Sequence, residues 1–324
     1  NPSSEIRQAI RPIIERLSQN YPEFGNELAI DFVDLLLEPE RHEGVHKDLV
    51  SMLRSQMMSD WMTNMTPEKT VSLTKAKSSI AQELGGIVLQ ANSNAWWSQF
   101  SANQIVNFAN HEVLAIRQSA WQMMELKLES IRHDEDEMLC AIKLLEAKWE
   151  DSQDFAKSLF NRLNNEDWTP RVMVGVCDST KEEVRRFGRD IVTTHFQGDY
   201  GQEYLLKFSE HPSTDMQMFV TNYLENYATD NEEILKQLTP YFVTVLSGVN
   251  KGSVAKKRIF QFLDQEATKS KTAAKIVADI LTRQSATIAI ADKSAAIQIM
   301  LKIKRKYPDL EMPIQVKAVS EIRS

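Results

Sequence analysis

Glycine and proline are scarce in this sequence, 10 of each in 324 residues. With so few chain breakers, long helices go uninterrupted and a collagen-like or loop-dominated chain is excluded. Cysteine is scarcer still. Cys140 and Cys177 sit inside helical patterns and lack the paired spacing of a zinc knuckle or a redox motif, so they read as small buried residues. No apolar run approaches the roughly 18 to 20 residues that cross a bilayer, and Asn1-Pro2-Ser3-Ser4 is not an apolar signal segment. The expectation is a cytoplasmic protein that makes no membrane contact. There is neither a G-x-S-x-G elbow nor a G-x-x-x-x-G-K-[ST] phosphate loop, and the Ser, Cys and Asp residues form no nucleophile constellation. No catalytic residue, cofactor site or metal site is therefore assigned.

What the chain does have is charge, unevenly distributed. The net charge is −7, yet residues 251–306 hold 13 Lys or Arg against 4 Asp or Glu, while residues 1–250 hold 23 against 38. A basic carboxyl-terminal third and an acidic remainder predict a bipolar molecule if the fold is extended. An apolar content of 42% supplies enough core to exclude a wholly disordered chain.

Helical periodicity organises that core. In "EEVRRFGRDIV" the residues Val184, Phe187, Gly188, Ile191 and Val192 recur at helical spacing, as do Met216, Phe219, Val220, Tyr223, Leu224 and Tyr227 further on. Strand signals are confined to the short alternation of "SATIAIAD", and the fold class is all-α. These helices also resemble one another. Aligning "NHEVLAIRQSAWQMM", "DSTKEEVRRFGRDIV" and "EHPSTDMQMFVTNYL" superposes Ile116, Val184 and Met216, then Ala120, Gly188 and Val220. Arg117, Arg185 and Gln217 coincide, each seven positions after a polar residue, Asn110, Asp178 or Glu210. Looser copies place Lys256 and Lys293 at the same point, so that positions 185, 217, 256 and 293 are 32, 39 and 37 residues apart. This period is two helices and their turns, the unit of a helix-pair solenoid.

The stretch "WTPRVMVGVCDSTKEEVRRFGRDIV" resembles a HEAT repeat most fully: Pro170 early in a first helix, Asp178 in the turn, Val184-Arg185 opening a second helix. The resemblance covers residues 100–306, and residues 1–99 share helix pairing alone. It implies a right-handed α-solenoid of about eight hairpins forming one continuous domain over 1–324, closed by a terminal capping helix in 307–324. It also implies an Asp–Arg ladder between repeats, broken where Gln217 replaces Arg and where Val249 stands at the Asp position before Lys256. Helix pairs are expected at 3–19 with 23–37, 45–63 with 67–90, 100–109 with 111–130, 134–149 with 152–164, 168–177 with 180–196, 201–209 with 212–227, 230–247 with 252–267 and 270–284 with 290–306.

Three features bear on function. "RHEGVHKD" spaces His42, Glu43 and His46 as a zinc hydrolase does, but its flanks are the charged Glu40, Arg41, Lys47 and Asp48, and Gly44 weakens a helix there. The expectation is a solvated turn and first helical turn. Trp96-Trp97 suggests the aromatic surface of HEAT-like DNA glycosylases, but adjacent helical residues point about 100° apart, so burial at a hairpin junction is expected. His111 and His211 precede second helices at equivalent positions and are expected to cap or fill the turn. The basic residues Arg185, Arg186, Arg189, Lys251, Lys256, Lys257, Arg258, Lys293, Lys302, Lys304, Arg305 and Lys306 are the candidate binding face, since second helices line the inner face of such arrays. The expected function is a non-catalytic scaffold whose basic third receives an acidic protein surface or segment. The alternatives are a nucleic-acid-binding solenoid with glycosylase-like chemistry and a zinc hydrolase.

Overall fold

The computed structural model describes residues 3–312 apart from 57, 59, 196–200, 210 and 248–252. It is all-helical, with no strand among the described residues. The chain divides into two compact units at Val172 and Met173. The first holds α1 (Ser4–Asn20), α2 (Pro22–Leu37), α3 (Val45–Leu53), α4 (Pro67–Thr74), α5 (Ser79–Trp96), α6 (Ala102–Ala109), α7 (Leu114–Ile131), α8 (Glu135–Ala141) and α9 (Glu150–Phe160). Helix α10 (Pro170–Cys177) lies across the division. The second unit continues with α11 (Glu182–His195), α12 (Gly201–Ser209), α13 (Thr214–Ala228), α14 (Glu232–Gln237), α15 (Thr239–Ser247), α16 (Ser253–Glu266), α17 (Lys271–Ser285) and α18 (Ile290–Lys306).

Four expected helices, over 45–63, 67–90, 134–149 and 230–247, are shorter than their periodicity suggests or divided in two. The helix expected over 45–63 stops at Leu53, where the buried Trp61 indole donates to the Leu53 carbonyl at 2.9 Å and satisfies an orphan acceptor of the helix end. The expected pair of 45–63 with 67–90 is accordingly replaced by α4 packed on α5. The helix expected over 230–247 is two, α14 and α15, because Pro240 has no N–H to continue the ladder. The helix over 134–149 ends at Ala141 and tightens into a 3-10 turn, Ile142–Glu146. Of the expected capping helix, residues 313–324 lie outside the described residues, and 307–312 are non-helical.

One hydrogen bond recurs through both units. Gln82 Nε2 donates to the Ala76 carbonyl at 2.7 Å, Arg117 Nη1 to that of His111 at 3.0 Å, and Gln153 Nε2 to that of Ala147 at 2.7 Å. Arg185 Nη1 donates to Ser179 at 3.0 Å and Gln217 Nε2 to His211 at 3.1 Å. Each donor reaches back six residues from the first turns of a helix to the connection before it. A long polar side chain there ties down a turn carbonyl that neither helix can satisfy. Three residues after the donor, Gly85, Ala120, Ala156, Gly188 and Val220 are all buried. A Cβ on Gly85 would stand 3.0 Å from the Thr74 amide nitrogen, and one on Gly188 3.0 Å from that of Cys177. Small residues here let a helix cross the end of the helix that precedes it.

Where the donor is Arg117, Arg185 or Lys256, the same position also links its helix to the next of its kind. Arg117 grips Asp151 through Nε and Nη2, the latter at 2.6 Å, and its guanidinium lies 4.6 Å over the Trp149 ring. Arg185 reaches Asp215 at 3.1 Å, and Lys256 reaches Asp292 at 2.7 Å. The ladder's carboxylate is thus not the turn residue Asp178, whose side chain is exposed, but an Asp one or two places before the next donor position. Gln217 makes no ion pair among the described residues, and Lys256 pairs with Asp292. Val249, where the second break in the Asp–Arg ladder is expected, lies outside the described residues. Gln82, Gln153 and Gln217 alternate with Arg117 and Arg185, whose rungs form with the Asp two places before the next Gln, while Lys256 pairs with the Asp beside Lys293.

Candidate functional site

Helices α16 and α18 pack against each other and leave a groove of about 410 Å³ between them. Its floor is apolar, formed by the buried Phe260 and Ile299 with Ala291 and Ala295. Its sides carry two ion pairs. Lys256, only 8% exposed, holds Asp292, and Lys302 holds Asp264 at 2.6 Å. Asp264 Oδ1 is buried without a hydrogen-bond partner among the described residues. Lys257 and Gln261 stand exposed at the rim, and Lys257 makes no ion pair among the described residues. An apolar floor beneath a free ammonium suits a segment that carries an apolar side chain beside a carboxylate.

The twelve basic candidates divide sharply. Lys256, Lys257 and Lys302 are brought together in this groove. Arg185 and Arg189 both converge on Asp215 of α13, so their charge is spent within the fold. Arg258 bonds Thr221 at 3.2 Å and Asn222 at 2.5 Å. Lys304 donates to the carbonyls of Pro308 and Leu310 beyond the end of α18, and Lys306 to that of Thr268 after α16, so both are held within the fold. Arg186, Lys257, Lys293 and Arg305 form no ion pair or side-chain hydrogen bond among the described residues and keep their charge for solvent or a ligand. Lys251 lies outside the described residues. Sequence spacing alone hid this division, because Arg185 and Arg186 are neighbours in the chain but only one faces the next helix.

The other candidates fall into structural places. His42 lies exposed in the turn before α3, with its carbonyl accepting from the Val45 amide, and Gly44 adopts a left-handed φ of 81°. The helix begins only after that glycine, so His42 and His46 do not share a helical face. Glu43 is exposed, whereas His46 is buried, contrary to the expected solvated turn, and its Nδ1 lacks a hydrogen bond. No group of three His, Cys, Asp or Glu side chains suited to a metal gathers among the described residues. Trp96 is buried and Trp97 half-buried, so the two rings do not form one exposed aromatic surface. Cys177 is buried and Cys140 half-buried. Burial pushes the Cys177 thiol up to about 12, far from a nucleophilic thiolate at neutral pH.

His111 and His211 cap their turns in the same way. Nδ1 of each accepts from the backbone two residues on, Val113 at 3.0 Å and Ser213 at 3.1 Å. In His211 that bond requires the neutral ring. Burial lowers the His211 pKa, helped by Arg185 and opposed by Asp178 and Asp215. Burial alone would raise the Asp215 carboxyl, but hydrogen bonds from Ser213, Arg185 and Arg189 outweigh it and hold the group well below the usual range. Because the folded His211 binds its proton less readily than the unfolded one, its contribution to stability is complete above the unfolded pKa of about 6.5. That contribution is lost as pH falls below this value. Thermal melts from pH 7.5 down to 5 are expected to show a steeper fall for the native chain than for His211→Gln. Parallel curves would contradict the assignment.

No protein-family model matches this chain, and no curated protein matches it. Two solved structures are similar to it in part, both crystal structures of engineered proteins. One is 16% identical, covering 75% of this chain and 98% of its own, and the other is 18% identical, covering 74% and 100%. Each superposes with a TM-score of 0.25, a likeness too slight to assign a fold or a role.

Proposed function

We propose that this chain is a non-catalytic, HEAT-like α-solenoid of about eight hairpins that serves as a binding scaffold, with the α16–α18 groove receiving an acidic segment of a partner protein. The observation that carries the reading is the recurring bond made by Gln82, Arg117, Gln153, Arg185 and Gln217. It marks one structural unit used again and again, and such units hold neighbours together while leaving the intervening surface free to vary. The free charges of Arg186, Lys257, Lys293 and Arg305 supply attraction for carboxylates.

Lys257 is the clean probe, since Lys256 is buried in its pair with Asp292 and reversing it would damage the fold. Fluorescence anisotropy with a labelled glutamate-rich peptide containing a Leu or Phe anchor is expected to show binding that Lys257→Glu weakens about fivefold, the effect of roughly 1 kcal/mol from one exposed charge contact. Equal affinity in the variant would remove the groove from the reading. A duplex oligonucleotide bound more tightly than the peptide, with steep salt dependence, would replace a protein partner by nucleic acid.

A further inference from the structure

The connection between α17 and α18 holds a run of apolar side chains in solvent. Ile288, Ala289, Ile290 and Ala291 are all exposed, the two isoleucines at 94% and 83%. Four consecutive apolar residues left in water add nothing to the core and invite aggregation, so such a run signals a surface that meets something.

The exposure belongs to the turn itself. Counted back from the donor position, Ile288 stands five places before Lys293, where the earlier connections have Lys77, Glu112, Lys148, Thr180 and Pro212, all of them exposed. Further helices follow each of those connections and leave the place open. Glu112 stays exposed although the connections at Lys77 and Lys148 lie in the same unit, so neighbouring repeats do not cover it. Ile290 stands three places before the donor, where Ser79, Glu150 and Glu182 are exposed and polar, while Leu114 is 47% exposed. What distinguishes the α17–α18 connection is therefore its chemistry: two isoleucines occupy outward places that elsewhere are mostly polar.

The surroundings of the run decide what it can meet. Arg283 near the end of α17 is exposed and Lys293 in the first turn of α18 is half-exposed, and neither forms an ion pair or side-chain hydrogen bond among the described residues. Asp292, the one acidic residue from 283 to 293, is neutralised by Lys256 at 2.7 Å. The run is thus an apolar tip between two free cations, in a segment, 251–306, with 13 Lys or Arg against 4 Asp or Glu. Its four side chains are alkyl groups alone. Protein partners are held through aromatic, arginine or hydrogen-bonding anchors, and none stands in the run. A bilayer requires none: it takes up alkyl groups without fixed orientation, while anionic headgroups attract the flanking cations.

We propose that the α17–α18 connection is a peripheral membrane contact, in which Ile288 and Ile290 enter the headgroup and upper acyl region of an anionic bilayer while Arg283 and Lys293 pair with lipid phosphates at its surface. Two shallow isoleucines and two cations give weak, reversible adsorption and not permanent anchoring. The contact needs no spanning helix, and among the described residues none is long and apolar enough to cross a membrane.

Co-sedimentation of the full chain with vesicles tests this, using phosphatidylcholine alone and phosphatidylcholine mixed with phosphatidylserine. Binding is expected to the mixed vesicles and should weaken as salt is raised. Ile288→Ser combined with Ile290→Ser should lower it about tenfold at low and high salt alike, with circular dichroism unchanged because both sites are exposed. Arg283→Gln combined with Lys293→Gln should lower it about tenfold at low salt and much less at high salt. A native chain that binds neither vesicle overturns the proposal. So does binding that the serine variant leaves unchanged, which would be adsorption of the basic segment by charge alone. The glutamate-rich peptide, whose affinity reads Lys257 and the groove floor, should bind the serine variant as it binds the native chain. Loss of the peptide from that variant would give the run to the protein partner and overturn the membrane contact as well.

Discussion

Replacing Arg117 by Ala is expected to destabilise the first unit by about 3 kcal/mol. The residue is 7% exposed and its side chain makes three kinds of contact at once: two carbonyls of the turn, His111 and Glu112, the Asp151 carboxylate, and the Trp149 face. Alanine leaves both carbonyls and the carboxylate without their donor. Half-exposed Asp151 can be rehydrated, and so the cost stays below that of a fully buried orphaned charge. Arg185→Ala should cost markedly less, about 1 to 2 kcal/mol, because Arg189 also holds Asp215. Urea unfolding followed by circular dichroism measures both. Equal costs would show that the carboxylate rung, and not the turn carbonyls, is of little consequence.

Substituting Gly86 by Val should cost about 3 kcal/mol or more. The added Cβ would lie 2.8 Å from both the Ala115 Cβ and the Ile116 amide nitrogen at the start of α7, atoms that no rotamer change can move. The Ser119 hydroxyl, which donates to the Gly86 carbonyl at 3.0 Å, fixes the same approach. Helices α5 and α7 would have to separate and take that bond with them. Gly86→Ala meets the same clash but regains nearly 1 kcal/mol of helix propensity, and should fall between. Gln90→Val, exposed on the same helix, should change stability by no more than about 0.5 kcal/mol. Comparable losses at 86 and 90 would mean that the two helices do not pack closely.

The all-helical class was legible because apolar spacing repeats so consistently that few strand windows compete. The alignment of Arg117, Arg185 and Gln217 already held the register, and with it the small residue three places on. Gln82 and Gln153 escaped it because alignment on charge passes over a neutral amide, although Nε2 of Gln makes the same bond as Nη1 of Arg. Their signal is present in the sequence: a long polar donor six residues after a turn and three before Gly or Ala. Shortened helices were harder to read. Trp61 ends α3 from eight residues away, a contact that no local pattern encodes. The basic face was legible as composition but not as a site, since whether a Lys or Arg is spent on a neighbouring Asp depends on which helix lies beside it.

The central claim is that one donor position recurs along the chain and, where it is Arg or Lys, joins its helix to the next, and a double-mutant cycle between Arg117 and Asp151 tests it most directly. Arg117→Ala, Asp151→Ala and the double variant, compared by urea unfolding, should give a coupling of about 2 kcal/mol, since a bidentate pair with a buried guanidinium is worth more than an exposed one. Additive losses, with coupling below about 0.3 kcal/mol, would contradict the claim and leave the recurring bond a feature of the turns alone.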